Sequence, residues 1–192
     1  MRKRLFISVT SHAGKSTLAR RIGQTLNWPV FSTDRMGRHP GRPWEKAPPH
    51  VLEFYERMSA EAIHTFLQHH HQNMWPGIMR LIDDHQHRAA PFVLEGAALR
   101  PKYLTDVAAD AVCLTATDNF LRQRIYDASS YITQTTQQQA ITDAFVDRSL
   151  RENELLQKEA IATQVTCLNV SDQDEVDRFF DAFIANATPK ET

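Results

Sequence analysis

The chain has 192 residues, enough for one α/β domain with a full core and short for two. Its 42% hydrophobic and 23% charged residues are ordinary globular values, and a net charge of −1 gives no general attraction to nucleic acid or to an anionic membrane. No apolar run reaches the length of about 18 residues that a membrane-spanning helix needs.

Met1-Arg2-Lys3-Arg4 has the basic character of a signal-peptide start, but the apolar run after it stops at Ser11, too early for secretion. A cytoplasmic protein is expected. Residues 4–9 read as a first strand, apolar nearly throughout, as in a parallel sheet covered on both faces. The run Ser11-His12-Ala13-Gly14-Lys15-Ser16-Thr17 follows, and then a helical pattern over 15–26. Strand, tight loop, Gly-Lys-Ser-Thr and helix together make a phosphate-binding loop. Backbone N–H groups of such a loop converge on one spot at a helix N-terminus and favour an anion there. Lys15 would sit on the β and γ phosphates of ATP, and Ser16 would reach Mg²⁺. The usual pattern places a glycine where this chain has Val9. Either the turn closes there with ordinary extended angles, or the nucleotide is held less tightly.

A short second strand over 29–32 ends at Thr33-Asp34. Residues 35–49 are rich in Arg, Pro and Gly and read as an irregular loop. Apolar spacing predicts helices over 50–58 and from Ser59 to about 88, the second kinked or divided at Pro76. Its His69-His70-His71 run does not make a metal site, because consecutive helical residues point in different directions. A third strand over 90–94 ends in Glu95-Gly96, and a fourth covers 111–114. Residues 118–126 are helical, 127–139 are polar and read as a mobile excursion, and 140–162 form a long helix. A last strand covers 165–170 and a last helix 175–184. Cys113 and Cys167 lie in apolar strand-like runs and read as buried thiols.

Strands alternating with helices predict a three-layer α/β/α domain with a five-stranded parallel sheet, spanning 1–192. Ligands in such sheets bind at the carboxyl ends of the strands. That rule gathers the loop at 9–16, Asp34 and Glu95 at one edge. A lysine, a hydroxyl for the metal, and carboxylates to position or deprotonate a hydroxyl are the parts of phosphoryl transfer. Asp34 could otherwise be a turn residue, and Glu95 a carboxylate closing a buried strand. Arg35, Arg38, His39 and Arg42 cluster just after Asp34, which suggests an anionic acceptor bound bidentately by Arg. His12 could bond a phosphate or face solvent, and Trp44 could pack over the loop or stack on a substrate.

Gly14-Lys15-Ser16-Thr17-Leu18-Ala19-Arg20, Ser32-Thr33-Asp34 and Leu121-Arg122-Gln123-Arg124-Ile125 resemble the P-loop small-molecule kinases of the nucleoside monophosphate kinase and shikimate kinase type. The block 34–44 is also similar to uncharacterised ATP-binding proteins labelled 2-phosphoglycerate kinase-like. The resemblance implies a P-loop fold with an acceptor-side insertion over 35–88 and a lid over 126–147. It implies ATP and Mg²⁺ as cofactors, Asp34 as the acceptor-binding residue and possible base, and Glu95 close to the metal or acceptor. It places Arg124 on the adenine and Arg148 and Arg151 on phosphates or substrate. In one respect the chain departs from these relatives: residues 126–147 contain no Arg or Lys, so Arg148 or Arg151 would have to stabilise the transferring phosphoryl.

The expected function is ATP-dependent phosphorylation of a hydroxyl on a small anionic metabolite, by a monomer or homodimer without nucleic-acid or membrane partners. The alternatives are a nucleoside or nucleotide kinase, which needs stacking aromatics near the acceptor (Trp44, Phe54 or Tyr55), and a degenerate ATP-binding regulatory protein.

Overall fold

A computed structural model describes residues 4–37, 41–44, 46–105, 107 and 109–188. Arg38 and His39, two members of the expected basic cluster, lie outside the described residues. Five strands, β1 (Arg4–Val9), β2 (Val30–Ser32), β3 (Phe92–Gly96), β4 (Asp110–Thr115) and β5 (Thr166–Asn169), pair in parallel in the order β2-β3-β1-β4-β5. β1 is central. The chain leaves it to build β2 and β3 on one side, then β4 and β5 on the other. Such a reversal opens a crevice at the carboxyl ends of the strands.

Strand periodicity explains the two cores. Leu5, Ile7 and Val9 point to one face, where they pack with Leu18, Ile22 and Phe183 of α1 (Lys15–Leu26) and α7 (Gln173–Ala187). Phe6 points to the other, beneath Ile78 and Ile82 of α3 (Ala60–His87) and Leu104 of α4 (Pro101–Leu104). Pro76 does not divide α3, which runs unbroken through 28 residues behind a Ser59 cap. In register, Cys113 of β4 faces Cys167 of β5; both are free thiols, the first buried and the second half-buried.

The segment expected to be a mobile excursion is ordered structure. α5 (Asp118–Ser129) extends to a single 3₁₀ turn, Tyr131–Thr133, and α6 (Thr136–Thr163) begins in a reciprocal cap between Thr135 and Gln138. The Tyr126 and Tyr131 rings stack at 4.0 Å, and both hydroxyls donate to Asp143, at 2.9 and 3.0 Å. A third cluster, with Val51 and Tyr55 of α2 (Pro49–Arg57), Leu67, Ile125 and Phe145, packs this region onto α2 and α3. The polar composition of 127–139 concealed this order, because its Gln and Thr side chains are spent on caps and cross-links such as Gln137 Nε2 to Glu56 at 2.7 Å.

Candidate active site

The loop between β1 and α1 is built by two residues in the left-handed region, His12 (φ 64) and Gly14 (φ 80). Val9 is not among them. It is the last residue of β1, fully buried in the core, so the missing glycine falls where none is needed. A Cβ at Gly14 would meet nothing within 4 Å, so the dihedral, not space, calls for glycine there. α1 starts without a side-chain cap and without an acid in its first turn. Its positive end is therefore uncompensated, which suits an anion.

Two pairs span the mouth of the loop. Lys15 Nζ lies 2.9 Å from Asp34 Oδ2, and Ser16 Oγ donates to Glu95 Oε1 at 3.2 Å. Asp34 is delivered by a 3₁₀ turn, Thr33–Arg35, that follows β2 directly. Glu95 is held by register: it lies beside Ile7 of β1 and Ser32 of β2. Burial pushes its carboxyl above the usual range, against Lys15 and the Ser32 and Ser16 hydroxyls. Its other oxygen, Oε2, is buried without a hydrogen-bond partner. A buried acceptor beside the Ser16 hydroxyl suits a hard cation, and Mg²⁺ is commonly held by one or two carboxylates plus phosphate oxygens and water.

Gly96 sets the position of Asp34. A Cβ on Gly96 would lie 1.8 Å from Thr33 Oγ1, so β3 and the 3₁₀ turn close only over glycine. Gly96→Ala should therefore displace Asp34. The expected result is a loss of about 1–3 kcal/mol in urea unfolding together with lost turnover; an unchanged unfolding midpoint would show that the turn yields freely.

Beyond Lys15 and Asp34 lies a cavity of about 80 Å³. Arg42, Arg148, His70 and His71 line it, over an apolar floor that includes Leu67 and Phe145. Arg148 Nη2 donates to Ser11 Oγ at 3.0 Å, and the guanidinium sits over the Phe145 ring at 4.3 Å. His71 is buried, and its basicity is pushed down to about 3 by burial and by Arg100. It adds a neutral polar group rather than a charge.

No family model matches the sequence, and no curated protein matches it. Solved structures do. Shikimate kinase from Aquifex aeolicus superposes with a TM-score of 0.54 at 13% identity, covering 96% of this chain and 98% of that one. Deoxyadenosine kinase from M. mycoides, solved with bound dATP, gives 0.56 at 12% identity, covering 94% and 98%. The chain shares the fold of these two kinases. TT1252 from Thermus thermophilus, at 0.52 and 14% identity over 97% and 98%, shares it.

On the other side of the phosphate loop, a second cleft of about 160 Å³ is lined by Gly14, Thr17, Leu114, Arg124 and Val176. Arg124 lines this cleft, with its guanidinium 5.4 Å from the Phe120 ring. Two other expected residues do not reach a site. Arg35 is exposed and is not among the residues that line the cavity beyond Lys15 and Asp34. Arg151, one helical turn beyond Arg148, pairs with Glu61 of α3 at 2.8 Å and is absent from the cavity wall. This chain also holds a buried ionic cluster that its sequence did not reveal. Arg100, fully buried, donates to Glu152 at 2.8 Å and to Glu159 at 2.6 Å, and Lys102 approaches Glu159 at 3.4 Å. Glu152 Oε1 lies 3.7 Å from His71 Nδ1, so the cluster backs the cavity wall. The seven-residue spacing of Glu152 and Glu159, two turns apart on one helix face, was the available signal.

Proposed function

We propose that the protein is an ATP-dependent phosphotransferase that moves the γ-phosphoryl group to a hydroxyl of a small anionic metabolite. The observation that carries this reading is the convergence of Lys15, Ser16, Asp34 and Glu95 at the carboxyl ends of β1, β2 and β3. The phosphate chain would lie over the loop and the α1 N-terminus, with Lys15 on its β and γ oxygens. Ser16 and Glu95 would hold Mg²⁺, which neutralises charge on those oxygens. Asp34 would orient the acceptor hydroxyl and take its proton.

The cavity supports an anionic acceptor: among the described residues that line it, Arg148 presents a guanidinium beside the Lys15–Asp34 pair, and arginine binds carboxylate or phosphate bidentately. Trp44 and Phe54 are spent on Phe145 and on Tyr55 and Phe66, and neither they nor Tyr55 lines the cavity. That disposition favours a small acid over a nucleoside. Calorimetric titration of MgATP tests the reading. Micromolar-range binding is expected for the wild type and is expected to vanish in Lys15→Ala, and equal affinity in the two would remove the phosphate-loop assignment.

A further inference from the structure

His12 has no role in the scheme so far, yet its backbone and surroundings are unusual. His12, at φ 64, is one of six non-glycine residues in the left-handed region among those described, and it is the one that lies in the loop before α1. The imidazole packs in a three-ring cluster with two aromatic rings from different elements, Trp44 and Phe145, which also meet each other at 4.9 Å. Trp44, from the loop after the 3₁₀ turn, lies at 5.7 Å and Phe145 of α6 at 5.8 Å, the latter edge to face. Both ring nitrogens are buried without a hydrogen-bond partner. His12 lines the same cavity as Lys15 and Arg148, on the phosphate side.

We propose that His12 is a further catalytic residue: when nucleotide binds, it takes a proton from solvent, donates a hydrogen bond to the transferring phosphoryl group, and so works beside Arg148 as the cation that residues 126–147 do not supply. The proton stays on the ring through transfer and returns to solvent when the product leaves.

The electrostatics agree in direction. In the free protein the imidazole is pushed down to about 4, first by burial and then by Arg42, Arg148, Lys15 and Arg124. These cations face it from the loop, α6, α1 and α5, and Asp34, His70 and His71 share the cavity. A triphosphate would neutralise those same cations and reverse the main charge effect on the ring. Two unsatisfied nitrogens become two donors once the ring is protonated.

Resting on the phosphate-loop reading, this is tested without an acceptor. The ¹⁵N resonances of His12 are followed by NMR against pH in the free protein, with Mg²⁺ and ADP, and with Mg²⁺ and β,γ-imido-ATP. His12→Asn assigns the signal and keeps the loop, since Asn tolerates the left-handed region. The expected result is a rise of about 3 units with the triphosphate analogue, enough to protonate the ring near neutral pH, and larger than with ADP. MgATP consumption by His12→Asn should fall by about 10²–10³ in kcat, with KM little changed. Binding of the analogue with an unmoved His12 titration would overturn the proposal and leave the phosphate loop standing. Absence of any nucleotide binding by the wild type would overturn both.

Discussion

Asp34→Asn should abolish phosphoryl transfer while tightening nucleotide binding. In the proposed reaction Asp34 would have two partners in sequence. It holds Lys15 at 2.9 Å, with the lysine largely enclosed and the carboxylate about a third exposed. Incoming phosphates would draw Lys15 away and free Asp34 for the acceptor. An amide cannot take a proton from the acceptor hydroxyl, so turnover should drop by about 10²–10⁴. It also competes weakly for Lys15. A partly exposed pair is worth about 0.2–1 kcal/mol, so MgATP should bind up to about fivefold more tightly. Turnover is read as ADP formed in the presence of a panel of carboxylated and phosphorylated metabolites, and affinity by calorimetry. Normal turnover would remove Asp34 from the chemistry; weaker nucleotide binding would show that the pair does not compete with phosphate.

The largest stability effect is expected at Arg100→Ala. The guanidinium is fully buried and divides its donors between Glu152 and Glu159. Burial already pushes the Glu152 carboxyl above its usual range, and Arg100 opposes that push. Removing the arginine leaves two carboxylates facing one another, with Lys102 at the outer one and Gln68 as a distant donor to Glu152 at 3.5 Å. Breaking a buried pair in this way costs about 3–5 kcal/mol. Urea unfolding should register that loss. Replacing Arg100, Glu152 and Glu159 together with Met, Leu and Leu should restore most of it, because no buried charge is left unpaired and Lys102 is exposed enough to be solvated. A loss below about 1 kcal/mol for Arg100→Ala would mean that water already solvates the cluster.

Much of this molecule was legible before folding was considered. The loop 11–17 announced itself because a phosphate-binding loop is local: its strand, turn and helix are contiguous, and each has its own sequence pattern. The parallel sheet followed from strands alternating with helices, and the rule for such sheets brought Asp34 and Glu95 to the same edge. Local signals were weaker where polar residues serve as structure. The segment 127–139 reads as loose because nothing in its composition tells a solvated glutamine from one that caps a helix or reaches Glu56.

By itself the sequence determined the fold class, the phosphate loop and the two carboxylates, since these depend on residues close in the chain or on a topological rule. Only the tertiary structure decided which arginines serve the cavity. Arg148 and Arg151 are three residues apart, yet one reaches Ser11 and the other Glu61. Only it showed that Val9 ends a buried strand, and that His12 lies among four cations and two aromatic rings drawn from separate elements. Helix phase, burial and long-range contacts fix these points. Each depends on partners that lie tens of residues or more than a hundred away along the chain, a separation no local pattern encodes.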